Sequence, residues 1–184
     1  LNEMRAAMSD RTAAILVEPI QGEGGINPAS TAYLQSLRDI ADEFNTLLIF
    51  DEVQCGMGRS GKLFAYEIAN VTPYIMGLAK GIGGGFPVGA VLATERAASG
   101  MVPGTHGSTY GGNPLAMAAA NAVLDVILEK DFLASVVKKG TKLKNDIASL
   151  VEKHSAVLES VRGVGLMLGI KSVGPNLELM AAFR

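Results

Sequence analysis

A lysine and an aspartate are the two residues of this sequence whose types and spacing could perform chemistry together. Lys80 and Asp51 are 29 positions apart, and each follows a short apolar segment. A free lysine amine is the nucleophile that forms Schiff bases with carbonyl compounds. A carboxylate beside the same ligand would stabilise positive charge on it. The pair therefore predicts a site at which an amine and an acid act on one bound molecule.

The surroundings of Lys80 set it apart from the other lysines. Eight of the nine lysines lie in polar or loop-like stretches, whereas Lys80 lies in the apolar, glycine-rich stretch Gly-Leu-Ala-Lys-Gly-Ile-Gly-Gly-Gly-Phe. An unpaired ammonium is costly to bury, so such a lysine tends to lose its proton or to take a covalent role. Alternatively, its side chain runs from a strand end out to solvent. Asp51 favours the first interpretation, because a pyridoxal site needs a Schiff-base lysine and an acid on the pyridinium nitrogen.

Four apolar segments predict the strands that would carry both residues. They are continuous rather than alternating, as expected of strands that helices cover on both faces. Between the first two, apolar residues at helical spacing after Ser30 or Thr31 predict a capped helix. Strand, helix and strand form a βαβ unit, so an α/β fold with a mostly parallel sheet follows. The predicted strands are 13–17, 47–50, 74–78 and 88–92.

The sheet would bring the candidate site residues to one edge. Ligands of such sheets bind beyond the carboxyl ends of the strands. Asp51 and Lys80 both follow strands at that edge, and Glu18 and Glu23 follow the first strand. We therefore expect a lysine and several carboxylates to meet there.

The second half of the chain predicts helices and one further strand. Asn113 is a suitable N-cap, and Pro114 suits the first helical position. A long helical region is expected from about residue 115 to residue 152, with Gly140 as the expected point of a break. Residues 161–170 read as one strand interrupted by glycines. The predicted organisation is a large domain over 1–112, a linking helical region over 113–152 and the start of a small α+β domain over 153–184.

Composition and charge exclude several classes of protein. Hydrophobic residues make up 48% of the 184 residues and the formal net charge is −2, so we expect a buried core and no basic surface for nucleic acid or an acidic membrane. No apolar run approaches the ~20 residues of a membrane helix. The single cysteine, Cys55, has no partner for an internal disulfide, which favours a reducing, cytoplasmic location. His106 and His154 are far apart in sequence and context, and we predict no metal site.

Two overlapping glycine patterns suggest other activities. Residues 56–61 fit the dinucleotide pattern G-x-G-x-x-G, but no acidic residue lies between Glu67 and Glu95 to bind the ribose. Residues 56–62 fit the phosphate-loop pattern G-x-x-x-x-G-K, but Leu63 replaces the hydroxyl residue that would bind Mg²⁺. A nucleotide-binding dehydrogenase stays as an alternative from another class, and a glycine-rich surface turn is favoured over both.

Four motifs, in order along the chain, resemble those of the class-III aminotransferases, the family of the ornithine and acetylornithine aminotransferases. They are Val17-Glu-Pro-Ile-Gln-Gly-Glu-Gly-Gly25, Ile49-Phe-Asp-Glu-Val-Gln54, Leu78-Ala-Lys-Gly81 and Gly104-Thr-His-Gly-Ser-Thr-Tyr-Gly-Gly-Asn-Pro114. The resemblance covers essentially the whole chain. It implies a fold-type I pyridoxal-phosphate transferase, of which this chain would hold the second half of the mostly parallel large-domain sheet and the start of the small domain.

The resemblance also implies the residues that bind the cofactor. Lys80 would hold pyridoxal 5′-phosphate as a Schiff base and move protons during catalysis, and Asp51 would keep the ring nitrogen protonated. Val53 would pack on the ring, and Gln54 would bind its phenolic oxygen. Glu52 is counted with the cofactor-binding residues, although a second-layer or helix-capping role stays open for it.

Three further residues would face the substrate and a partner subunit. Thr109 is implied to reach the cofactor phosphate of the neighbouring subunit, so the resemblance implies a homodimer with shared active sites. Ser108 would lie beside the substrate. Glu23 would hold an arginine that binds the carboxylate of the 2-oxo acid, and release it between the two half-reactions.

The implied activity is transamination between a small amino donor and 2-oxoglutarate. Acetylornithine is the implied donor, in arginine biosynthesis, with N-succinyl-diaminopimelate as a second one. Ornithine δ-aminotransferase and 4-aminobutyrate aminotransferase activities stay open. A non-enzymatic ligand-sensing domain that keeps the fold would be expected to have lost the lysine or the aspartate, and both Lys80 and Asp51 are present. Because family members are longer than this chain, we expect an internal fragment that is inactive alone.

Overall fold

The computed structural model describes residues 1–182 and shows strands and helices that alternate in the first half of the chain. The strands are β1 (Ala14–Val17), β2 (Ile20–Gln21), β3 (Asn27–Pro28), β4 (Leu47–Asp51), β5 (Ile75–Leu78), β6 (Ala90–Ala93), β7 (Leu158–Val164) and β8 (Met167–Ser172). The helices are α1 (Asn2–Ala7), α2 (Thr31–Glu43), α3 (Tyr66–Ala69), α4 (Glu95–Ala98), α5 (Pro114–Ile127), α6 (Phe132–Lys153) and α7 (Asn176–Ala182), with a 3₁₀ turn over Lys80–Gly83.

The main sheet contains the four predicted strands, in the order β1-β4-β5-β6. β4 pairs parallel with β1 and with β5, which confirms the predicted parallel arrangement. β6 pairs antiparallel with β5 and forms one edge. The register places Asp51 opposite Gly77, three residues before Lys80. The carboxyl ends of β4 and β5 therefore lie side by side, as the site requires.

Helix α2 covers one face of this sheet. Ser30 caps it as predicted, because its Oγ accepts a hydrogen bond from the Tyr33 N–H at 3.2 Å. Leu37 packs against Leu48 and Phe50 in one cluster, and all three side chains are fully buried. Each such burial contributes about 1.5–3 kcal/mol. The face of β4 that carries Phe50 is therefore held firmly against α2.

The long helical region consists of two helices. α5 begins as predicted, with Pro114 in its first turn and the Ala116 N–H donating to Asn113 Oδ1 at 2.9 Å. The helical region is interrupted between α5 and α6, where Asp131 has a φ of +68°. The prediction of a break at Gly140 is wrong, since Gly140 lies buried inside α6. The reason for a glycine there is close packing, because a Cβ at this position would overlap the backbone of Gly165.

The strand predicted over residues 161–170 is a hairpin of two strands. β7 and β8 pair antiparallel, and the turn between them contains Gly165 with a φ of +59°. Gly163, on β7, has a φ of +119°. Positive φ is easily adopted only by glycine. The glycines that looked like interruptions of one strand are therefore the residues that let the chain reverse.

Close backbone contacts join the hairpin to the glycine-rich segment 56–61. A Cβ on Gly165 would overlap the backbone of Ser60, and the Leu166 N–H donates to the Arg59 carbonyl at 2.9 Å. No helix begins in the segment, since the next one, α3, starts at Tyr66 and has four residues. The segment is thus a packing surface for the hairpin, and a dinucleotide loop, which needs a helix at that point, has no support.

No helix within residues 1–182 is both long enough and apolar enough to cross a membrane.

Candidate active site

Asp51 ends β4 and lies half-buried at the carboxyl edge of the main sheet. Its Oδ1 accepts a hydrogen bond from the Val53 N–H at 3.0 Å. This bond closes a local turn and fixes the direction of the carboxylate. Within residues 1–182, no hydrogen bond or ion pair involves Oδ2 of Asp51. One carboxylate oxygen is therefore available to a ligand.

Lys80 begins the 3₁₀ turn that follows β5. Its φ of +47° lies in the left-handed region, which costs a residue with a side chain about 1–2 kcal/mol. Such strain persists where the surrounding structure enforces it, and it clusters at functional sites. Of the two placements that the sequence left open, the structure shows the second, because Lys80 lies past the end of β5 and is exposed. It takes part in none of the ion pairs formed by the described residues.

Lys80 lines an open cleft of about 520 Å³. The cleft has apolar walls from α5 and α6, including Ile127 and Phe132, and Arg59 is its other charged residue. Asp51 does not line it. Side chains alternate along a strand, so Asp51 points away from the face of Phe50 that α2 covers. The Asp51 carboxylate is therefore not part of this cleft.

Glu52 follows Asp51 but has a different environment. Its side chain is fully buried, and its two carboxylate oxygens accept hydrogen bonds from the backbone N–H groups of Ala65 and Tyr66. Burial raises the pKa of Glu52 to about 7. A direct cofactor contact by Glu52 has no support in this geometry, because its side chain does not reach the surface. The helix-capping alternative fits, since Tyr66 begins α3.

The turn after β4 is joined to the loop after β1. Gln54 is half-buried, and its side chain occupies the space that a Cβ on Gly22 would fill. The Gly22 N–H donates to Glu18 Oε2 at 2.8 Å, so Glu18 closes its own loop. Glu23, next in the chain, is exposed. The structure thus brings the first and second motifs together and leaves the Glu23 side chain open.

Sequence reasoning missed the contact between this loop and the β7–β8 hairpin. Arg162 of β7 lies against Gly25, since a Cβ built on Gly25 would lie 2.8 Å from Nη2 of Arg162. The Arg162 Nε is buried without a hydrogen-bond partner among the described residues. No periodicity or motif in the sequence signals this contact, because it joins segments more than a hundred residues apart.

Ser108 and Thr109 lie in a segment, residues 99–112, in which every residue is exposed. Tyr110 beside them is 81% exposed. The structure therefore leaves both side chains accessible, and their roles toward substrate and partner stay predictions.

Among residues 1–182, no three His, Cys, Asp or Glu side chains are grouped as a metal ion would require.

The whole sequence matches one family of known proteins. The family model described as aminotransferase class-III matches residues 1–184. The chain belongs to the class-III aminotransferases. This confirms the family indicated by the four sequence motifs, and it places Lys80 and Asp51 in an aminotransferase framework.

Known class-III aminotransferases resemble this chain in sequence and in fold. Acetylornithine aminotransferase 1 of Bradyrhizobium diazoefficiens is 55% identical over 184 residues, which are 100% of this chain and 45% of that protein. The crystal structure of acetylornithine aminotransferase from Elizabethkingia anophelis matches with a TM-score of 0.87 and 40% identity, over 94% of this chain and 43% of its own. Ornithine δ-aminotransferase of Plasmodium falciparum matches with a TM-score of 0.86 and 35% identity, over 93% of this chain and 45% of its own.

These likenesses confirm the predicted fold class, a fold-type I α/β transferase with a mostly parallel sheet. The chain spans a little under half the length of the curated relatives it matches.

Proposed function

We propose that the protein carrying this chain is a pyridoxal-phosphate-dependent aminotransferase that passes the amino group of N2-acetyl-L-ornithine to 2-oxoglutarate. The observation that carries the proposal is the position of Lys80 in the sheet of a class-III aminotransferase. Lys80 is exposed, has a strained backbone and follows Gly77, the strand partner of Asp51, by three residues. The identity of 55% to an acetylornithine aminotransferase supports the choice of donor. Such a reaction would serve arginine biosynthesis.

The residues present fit pyridoxal 5′-phosphate, the cofactor of class-III aminotransferases. Lys80 offers an exposed amine on a flexible stem that no carboxylate neutralises in the described part of the chain. Asp51 offers an oxygen for a protonated ring nitrogen, while its other oxygen is held by the Val53 N–H. An amine for the aldehyde and an acid for the ring nitrogen are the pair that this cofactor needs.

When bound, the cofactor supplies an aldehyde carbon and a ring that accepts electrons. Lys80 would hold it through Nζ and, once displaced by the amino donor, would carry a proton between the substrate Cα and the C4′ carbon of the cofactor. Asp51 would hold a proton on the ring nitrogen through Oδ2. Val53 would pack against the ring, and Gln54 would bind the phenolic oxygen. All four residues lie within or just beyond the ends of β4 and β5.

We also propose a homodimer with active sites shared between subunits. Support comes from the exposed apolar side chains around segment 99–112, where Tyr110 is 81% and Leu115 is 65% exposed. Aromatic and aliphatic side chains exposed together mark interaction surfaces. Thr109 would reach the cofactor phosphate of the partner subunit, and Ser108 would lie beside the substrate.

Glu23 is proposed to hold an arginine of the full-length protein that binds the carboxylate of the 2-oxo acid. It is exposed, and its loop is tied to the Asp51 turn through Gly22 and Gln54.

The proposed division into a large domain, a linking region and a small domain, at residues 112 and 153, is supported by the start of α5 at Pro114 and the end of α6 at Lys153. The free, buried Cys55 supports a cytoplasmic location.

Ornithine is the second candidate donor. The fold likeness to Plasmodium falciparum ornithine δ-aminotransferase, with a TM-score of 0.86, favours it. The lower sequence identity, 35% against 55%, ranks it behind acetylornithine.

The covalent bond to Lys80 tests the cofactor proposal. We expect the full-length protein that carries this sequence to be yellow, and borohydride reduction to bleach it and to add the cofactor mass to the peptide containing Lys80. Lys80→Ala should remove the adduct, whereas Lys62→Ala, at another exposed lysine, should keep it. Mass spectrometry of the reduced peptides makes the measurement.

The donor is tested separately. Acetylornithine, ornithine and 4-aminobutyrate are compared by kcat/KM with 2-oxoglutarate as acceptor, and acetylornithine should give the highest value. A colourless protein with no borohydride adduct would overturn the cofactor proposal. A preference for ornithine or 4-aminobutyrate would overturn only the choice of donor.

A further inference from the structure

Glu52 is a fully buried acidic residue next to the catalytic pair. It follows Asp51 directly, and its exposed fraction is 0%. Carboxylates are almost never fully buried without a partner. Within residues 1–182 no ion pair involves Glu52. Its burial therefore depends on hydrogen bonds from uncharged groups.

Those hydrogen bonds come from the start of α3. The Ala65 N–H donates to Oε2 at 2.6 Å, and the Tyr66 N–H donates to Oε1 at 2.8 Å. Hydrogen bonds to an ionised acceptor are shorter and about twice as strong as neutral ones. The carboxylate thus links the end of β4 to a segment 13 residues further along the chain.

The backbone of Glu52 is held as well. Its N–H donates to the Gly77 carbonyl of β5 at 3.0 Å, and its own carbonyl accepts from the Gly56 N–H at 2.9 Å. A Cβ on Gly56 would approach that carbonyl oxygen to 2.7 Å, so the close approach requires glycine. Gly77 is the strand partner of Asp51 and precedes Lys80 by three residues. The backbone of Glu52 therefore joins the residue after Asp51 to β5, the strand that leads to Lys80.

We propose that Glu52 is a positioning residue, whose carboxylate binds the amides of Ala65 and Tyr66 and thereby sets the place and direction of Asp51 at the sheet edge. The inference rests on the proposed function and deepens it, since Asp51 is the residue that would hold the proton on the ring nitrogen. Glu52 itself does not contact the cofactor.

The charge of Glu52 makes this role dependent on pH. Burial raises the pKa of Glu52 to about 7, against the effect of the two amide hydrogen bonds, and Glu67 nearby raises it further. The other ionisable neighbours are Asp51 and Cys55, and burial raises the pKa of the Cys55 thiol to about 12, so it stays neutral. A raised pKa means that the folded surroundings favour the neutral acid over the carboxylate. Ionisation of Glu52 as pH rises through about 7 should therefore weaken its contact with the Ala65 and Tyr66 amides relative to an open, solvated state, and Asp51 should be held less firmly.

The test compares Glu52→Gln with Glu67→Gln in the full-length protein. Glu67 is a matched control, because its carboxylate accepts the Phe64 N–H at 2.8 Å at the start of the same helix but is exposed. Pyridoxal phosphate is titrated against each cofactor-free protein, followed by absorbance. Between about pH 6 and about pH 8 the affinity of the wild type and of Glu67→Gln should fall relative to that of Glu52→Gln, which has no titrating group at this position. At the lower pH, Glu52→Gln should bind about tenfold more weakly than the wild type, because an amide nitrogen cannot accept a hydrogen bond from a backbone N–H.

A second readout needs no cofactor. The Val53 N–H donates to Asp51 Oδ1, so its hydrogen exchange reports whether Asp51 is held in place. Glu52→Gln should speed this exchange about tenfold or more, and Glu67→Gln should leave it unchanged.

The outcomes separate the two proposals. A pH dependence of affinity that is the same in the wild type and in Glu52→Gln, or Glu52→Gln with wild-type affinity and wild-type Val53 exchange, would overturn the positioning role, even if the variant melts earlier. If Glu52→Gln does not fold, Val53 exchange in the wild type at about pH 6 and about pH 8, relative to the intrinsic exchange rate, decides, and unchanged protection would overturn the role. A wild-type protein that binds no pyridoxal phosphate would overturn the proposed function, while Val53 exchange would still test the hold on Asp51.

Discussion

Lys80 combines a reactive side chain with an unfavourable backbone conformation. Its φ of +47° is typical of glycine, and glycines surround it in the chain, yet this position carries a lysine. A site that depends on the amine explains why a residue with a side chain stands there, since strain of this kind collects at functional positions. The strain should also affect the free energy of unfolding, which can be measured without an activity assay.

We expect Lys80→Gly to be more stable than Lys80→Ala by about 1 kcal/mol. Glycine adopts the left-handed region without strain, whereas alanine keeps the clash of its Cβ. Urea unfolding of the two variants measures the difference. Lys62, which does not have a positive φ, is the control. There the order should reverse, because glycine only adds disorder to the unfolded chain. Equal stabilities at position 80 would contradict the backbone assignment.

At the scale of elements, helix α6 links the two halves of the chain through glycine contacts. Gly140 faces the backbone of Gly165 in the β7–β8 turn, and Gly165 faces the backbone of Ser60. The Lys144 ammonium, one turn further along α6, donates to the Gly163 carbonyl at 2.9 Å. The glycine-rich segment after β4 thus supports the hairpin rather than a phosphate group.

Gly140→Ala should destabilise the protein by about 2 kcal/mol. Alanine normally stabilises a helix by about 1 kcal/mol relative to glycine. Here the alanine Cβ would overlap backbone atoms of Gly165, which cannot rotate away as a side chain can. Overpacking typically costs about 1–3 kcal/mol, and it costs more where the neighbouring atoms are rigid. Chemical unfolding, with Gly174→Ala as a control at a position with open space, measures the effect. A neutral or stabilising Gly140→Ala would contradict the packing described for α6.

At the scale of the whole molecule, one face of the main sheet and segment 99–112 remain uncovered within the described residues. Leu16 is 67% and Val91 is 75% exposed on the sheet face that also carries Asp51. Exposed apolar side chains of this size mark surfaces that another part of a protein or a partner covers. The chain matches less than half of each curated relative, in agreement with a site completed by further polypeptide.

Mixed dimers test the proposed sharing of active sites. A dimer of one Lys80→Ala subunit and one Thr109→Asp subunit has one site with both native residues, because Lys80 and Thr109 of each site would come from different subunits. Such a heterodimer should regain about half of the wild-type activity, while each variant alone is inactive. Co-expression with two affinity tags and an aminotransferase assay makes the measurement. Inactive heterodimers would show that Thr109 serves the site of its own subunit.

Local patterns along the chain were enough to predict the strands of the main sheet and the starts of two helices. These patterns act through neighbours in sequence. Continuous apolar segments predicted the strands of the main sheet. The caps Ser30 and Asn113, together with Pro114, predicted where α2 and α5 begin. Lys80 and Asp51 could be singled out because each follows a strand, and parallel strands bring such positions to one edge.

Only the tertiary structure decided how those residues are held. The break at Asp131, the hairpin at Gly165 and the buried Gly140 depend on backbone conformations and contacts between distant segments. The same is true of Glu52, whose burial and bonds to Ala65 and Tyr66 assign it to support rather than to cofactor contact. The exposure and positive φ of Lys80 also depend on where β5 ends in the sheet. Sequence thus determined which groups are present at the edge, whereas packing between distant segments determined their direction, exposure and charge.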